Sequence, residues 1–120
     1  MKLLRWFTNN VADTDAPTHP DLAPLALPLA PDDAVRRVVE VIGQLPGWAV
    51  VAVDGRTIRA TRRTRLWGFL DDVTLRLNAA PGGCVLHARS QSRIGKGDMG
   101  QNRRNLRQVF KVVQKAILKS

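Results

Sequence analysis

Residues 69–92 read FLDDVTLRLNAAPGGCVLHARSQS. Val73, Leu75 and Leu77 alternate with Asp72, Thr74, Arg76 and Asn78, the period of a strand with one face buried. Pro81-Gly82-Gly83 turns the chain, and Cys84, Leu86 and Ala88 resume the apolar phase. So short a connection requires antiparallel neighbours. The same phase carries Ser90 and Ser92 to the apolar side, and Asp71 shares it with Val73. Asp72, His87, Arg89, Gln91 and Arg93 face the other way.

Outward from this hairpin, Trp48 to Val53 is an apolar, β-branched run. Asp54-Gly55 signals a two-residue hairpin loop, with a return strand over 56–65. Arg62 falls in that strand's apolar phase and breaks its pattern. Pro31-Asp32-Asp33 opens a helix whose stripe is Ala34, Val35, Val38, Val39, Ile42 and Leu45, ending at Gly43 and Pro46. A last helix is expected over 100–118, with Leu106, Val109, Phe110, Val113, Ala116 and Ile117 buried. Arg103, Arg104, Arg107, Lys111, Lys115 and Lys119 surround that stripe as a solvated face. Residues 25–30 supply a short first strand, demoted to an edge by Pro28. The expected architecture is an α+β domain, β-α-β-β-β-β-α, with both helices on one face of an antiparallel sheet. Its topology looks like the TBP-like or helix-grip class. Residues 25–120 form this single domain, and 1–24 read as an irregular lead-in.

The formal charge of +9 is uneven. Residues 1–55 carry four basic and seven acidic side chains, residues 56–120 fifteen and three. The basic half should attract an anionic small molecule or an acidic protein partner. Nucleic acid is a less favoured partner, because aromatic stacking residues are scarce and no reader motif occurs. A lone Cys84, flanked by apolar residues, reads as a core thiol and fits a reducing compartment, so a cytoplasmic location is expected. No apolar run reaches the length of a membrane span. Trp6 and Phe7 in the basic, apolar start leave room for weak peripheral contact with a membrane.

Two constellations follow from the alternation. An inner one places Asp71, Ser90 and Ser92 at the sheet end leading into the last helix. An outer one gathers Arg59, Arg63, Arg76, Arg89, Asp72 and His87. Between them, residues 93–103 read RIGKGDMGQNR. Asp98 and Gln101 fit a capping box, and Arg93 and Lys96 among glycines suit an anion held at a helix start. The spacing is not that of a phosphate-binding P-loop. Structural latch and ligand site are both open readings of this loop. No cofactor is expected, nor a metal, since His19, Cys84 and His87 have no ligand spacing. A hydrolase would use Asp71 with Ser90 or Ser92, yet the motif holds no histidine to serve as base.

The stretches GFLDDVTLRL (68–77) and HARSQSRIGKGDMGQNRRNLRQVF (87–110) resemble the uncharacterised family known as domain of unknown function 1499. Its pattern maps to Phe69, Asp71, Asp72 and Val73, then to Arg89, Ser90, Ser92, Arg93, Gly95, Asp98, Gly100 and Asn102. The final arginine of the pattern falls at Asn105, with Arg103 and Arg104 only approximating it. The resemblance runs from about His19 to the end and implies a widespread domain without an established activity. The ligand-site candidates are Asp71, Asp72, Arg89, Ser90, Ser92, Arg93, Lys96, Asp98, Asn102 and Arg103.

Overall fold

In the computed structural model, which describes residues 11–15, 22–64, 68–93 and 100–118, the 69–92 hairpin lies inside one antiparallel sheet. Strands β5 (Leu70–Ala80) and β6 (Gly83–Ser92) pair from Asp71 opposite Ser92 to Ala80 opposite Gly83. Strand β4 (Thr57–Arg63) lies beside β5, and β3 (Trp48–Asp54) forms the far edge. On its other side β6 takes two short strands, β1 (Val11–Asp13) and β2 (Leu25–Leu27). Helices α1 (Pro31–Gly43) and α2 (Gln101–Leu118) pack on one face. Ile58, Val73, Leu75, Leu77 and Leu86 of the sheet are buried there against Val38, Ile42, Leu106, Val109 and Val113 of the helices. The α+β class, the antiparallel sheet and the two helices agree with the alternation and the helical stripes.

Four details differ from expectation. Strand β1 lies within the supposed irregular lead-in. Three residues are too few to show a period, and the segment joins the ladder through Thr14. The Thr14 N–H donates to the Ala88 carbonyl at 3.0 Å, and the Ala88 N–H donates to Thr14 Oγ1 at 3.0 Å. The hydroxyl thus acts as one more backbone acceptor. Strand β2 stops at Leu27 rather than Ala30, because Pro28 has no N–H to offer. Asp54 pairs with Thr57, so the β3–β4 loop is Gly55-Arg56 and not Asp54-Gly55. Gly55, at φ 59°, supplies the left-handed turn position. The register of β3 also slips between Val50 and Ala52, leaving Val51 65% exposed on the sheet edge.

Arg62, the residue that breaks the β4 pattern, sits on the inner face between Trp48 and Asp71 in register. Its Nε is buried without a hydrogen-bond partner. The polar character of this sheet end is therefore shared by three adjacent strands.

Gly83 marks where β2 crosses close to β6. A Cβ there would stand 2.1 Å from the Leu27 carbonyl oxygen and 2.9 Å from the Leu29 nitrogen, both backbone atoms. Gly83→Ala should therefore lower unfolding free energy by about 1–3 kcal/mol in urea titrations. Gly43→Ala, with open space around it at the end of α1, should stay within about 0.5 kcal/mol of the parent or exceed it.

Candidate functional site

The buried half of the motif is built by two periodicities meeting. Alternation along β6 carries Ser90, 0% exposed, beneath α2. Asn102 and Asn105, three residues apart, lie on the face of α2 that also carries Leu106 and Val109. Ser90 Oγ donates to Asn102 Oδ1 at 2.6 Å, and Asn102 Nδ2 donates to Ser92 Oγ at 2.9 Å. Asn105 Nδ2 donates to Asp71 Oδ2 at 2.7 Å and to Ser90 Oγ at 3.1 Å. Gln101 Nε2 donates to Asn105 Oδ1 at 2.7 Å. Asp71 is 1% exposed, and Asn102 and Asn105 are fully buried. Stripping one partner from such a group costs about 1–3 kcal/mol, so this network fastens the end of the sheet to the start of α2. The Ser90 proton points at an amide oxygen, which is no base.

The structure brings together Asp71, Ser90, Ser92 and Asn102 from the predicted set, and adds Asn105 and Gln101. Asn105 stands where the family pattern ends in arginine, and it faces Asp71. The signal was the pattern position itself, where a neutral amide replaces a cation. Asp98, the N-cap of the expected capping box, lies outside the described residues. Helix α2 starts at Gln101, the Gly100 carbonyl accepts from the Arg104 N–H, and the Gln101 side chain engages Asn105 and Arg104 instead of reaching back. Trp6, Phe7, His19, Gly95, Lys96, Asp98 and Lys119 lie outside the described residues.

The outer face holds the predicted arginines, but aspartates stand among them. Arg93 grips Asp72 through two bonds, Nε to Oδ2 at 2.9 Å and Nη2 to Oδ1 at 2.8 Å. Arg76 Nη2 donates to Asp15 Oδ2 at 2.6 Å, and the other oxygen of Asp15 meets His87 Nδ1. Arg89 Nε lies 3.6 Å from Asp13 Oδ2. The Arg93 hydrogen bonds, then its charge, hold the Asp72 carboxyl below its ordinary pKa, with burial opposing. For Asp15 the Arg76 hydrogen bond does most of the lowering, burial opposes it, and His87 and the Arg76 charge assist. Two of these three aspartates come from residues 11–15, so the sheet face is far less cationic than β4–β6 alone suggest. Burial raises the pKa of the Cys84 thiol, consistent with a packed core residue.

A second set of cations lies on α2. Arg104, Arg107, Lys111 and Lys115 are exposed and follow one another at spacings of three, four and four, which places them on one stripe. The helix QNRRNLRQVFKVVQKAIL contains no acidic residue. A groove of about 480 Å³ runs along this stripe, lined by Arg104, Arg107, Lys111, Gln108 and Gln114, with Leu22 and Phe110 as its apolar part. These cations had the sequence signature of a merely solvated face; the groove appears only once Leu22 packs beside the helix. Among the described residues, no three His, Cys, Asp or Glu side chains cluster to hold a metal ion, and no helix is long and apolar enough to cross a membrane.

Ser90→Ala should destabilise by about 1–3 kcal/mol, because it leaves Asn102 and Asn105 short of a buried partner. Arg93→Ala, at an exposed pair, should change stability by less than about 1 kcal/mol. Urea titrations separate the two outcomes. The Asp15 and Asp72 pairs contribute stability that is complete above the ordinary carboxylate pKa and lost as pH falls through their lowered folded-state values. Asp15→Asn with Asp72→Asn should therefore flatten the acid limb of a melting-temperature–pH profile and lower its neutral plateau.

The folding pattern recurs in solved structures. A crystal structure of protein MLL2253 from Mesorhizobium loti matches with TM-score 0.61 and 14% identity, covering 82% of this chain and 96% of that one. Protein CV1439 from Chromobacterium violaceum matches with TM-score 0.52 and 12% identity, covering 90% and 97%. At these identities the likeness concerns the fold. No curated protein matches the sequence. The profile of the protein of unknown function family DUF1499 matches residues 7–112, which include both strands of the central hairpin, the polar network and most of α2. The chain belongs to the DUF1499 family.

Proposed function

We propose that this domain is a non-catalytic binding module for an anionic ligand or an acidic partner, and that the outer face of α2 is where it binds. The observation that carries this reading is the stripe of Arg104, Arg107, Lys111 and Lys115 on a helix without one acidic residue. Such a surface concentrates anions and speeds their encounter. The outer sheet face is a weaker candidate, since Asp15, Asp13 and Asp72 already answer Arg76, Arg89 and Arg93. The motif residues Asp71, Ser90, Ser92 and Asn102 serve as the latch that holds the helix in place. A hydrolase built on Asp71 and Ser90 is disfavoured by the direction of the serine proton. A cytoplasmic setting suits the buried free thiol of Cys84.

Titration of isotope-labelled protein with inorganic polyphosphate, followed by amide shifts, tests the proposal. Changes should centre on Arg104, Arg107, Lys111 and Lys115, weaken steeply between about 50 and 200 mM salt, and fade in Lys111→Glu/Lys115→Glu. Shifts centred on Arg89 and Arg93, or no binding, would count against it.

A further inference from the structure

We propose that the groove along α2 receives an acidic peptide segment bearing an apolar side chain, supplied by a partner protein. This rests on the reading of α2 as the binding face and narrows it to one class of occupant. From Arg104 to Gln114 the groove follows the helix for about 15 Å at helical rise. That length matches roughly four to five residues of extended peptide.

Its composition favours such a segment. Lys111 offers a charge-assisted donor to carboxylates, with the Arg104 and Arg107 guanidinium charges beside it. Half-buried Phe110, backed by buried Leu22, supplies an apolar part that a bare phosphate chain leaves unused. Gln108 accepts from Trp48 Nε1 at 3.0 Å, which fixes its side chain and leaves its amide group as a donor for a peptide carbonyl. Gln114 adds a second amide four residues beyond Phe110. A single-stranded nucleic acid would need open aromatic faces for its bases, and Phe110, half-buried, is the helix's one aromatic residue. A flat lipid surface would meet the rim of the groove but not its apolar part.

Fluorescence anisotropy with a short labelled peptide rich in glutamate and carrying leucine provides the test. The peptide should bind, its leucine-to-serine counterpart about tenfold more weakly, and Lys111→Glu protein about tenfold more weakly with an unchanged melting temperature. Equal binding of the serine peptide would overturn the inference. So would tighter binding of a thymidine oligonucleotide or of phosphatidylglycerol vesicles at matched charge, and either result would leave anion binding by α2 standing. Failure of both peptide and polyphosphate to bind would remove the inference together with the reading it rests on.

Discussion

The hydrogen bonds from the Asn105 amide to Asp71 and Ser90 set the constraint on which the rest of the structure depends. A carboxyl group almost withdrawn from water must find donors inside the protein. One such donor, Asn105 Nδ2, comes from α2, so the helix cannot rotate or slide without exposing or orphaning polar atoms on the sheet. With Asn102 and Asn105 turned inward, the helical period turns Arg104, Arg107, Lys111 and Lys115 outward. Latch and basic stripe are two consequences of one helix phase. The apolar contacts of Leu106, Val109 and Val113 supply the bulk of the attraction, but such contacts tolerate sliding better than a fixed set of hydrogen bonds does.

Charge is divided between the two sides of the molecule by the same logic. On the outer sheet face, arginines from β5 and β6 meet Asp72 and the two aspartates of the 11–15 segment, and Thr14 holds that segment in register. These pairs are exposed and individually weak, yet they offset three of the arginine charges on that face. Helix α2 itself contributes no acidic residue among its cations. Placement in three dimensions, rather than the total of +9, decides which surface attracts an anion.

Much of this was legible in the sequence. Strict alternation over 71–92 gave the central hairpin and the inward direction of Asp71, Ser90 and Ser92, because a buried face punishes a one-residue slip. The helices followed from stripes of spacing three and four. Less was legible where the signal was short or tertiary. Three residues of β1 carry no period, and its hold on β6 depends on a threonine hydroxyl imitating a backbone acceptor. The loop after β3 moved by one residue because glycine took the first turn position. The Gln101 side chain bonds Asn105, a contact that the capping pattern did not suggest. Asn105 itself was not among the candidates, since a basic residue near a buried aspartate is the simpler expectation from sequence. The groove could not be read at all, because Leu22 and Phe110 are far apart along the chain.

A double-mutant cycle between Asp71 and Asn105 tests the central claim most directly. Stability would be measured by urea unfolding for the parent, Asp71→Leu, Asn105→Leu and the double variant. The account predicts a coupling energy of about 1–3 kcal/mol, with the double variant less destabilised than the sum of the singles. Additive losses, or single variants as stable as the parent, would contradict the claim that this pair locks the helix to the sheet.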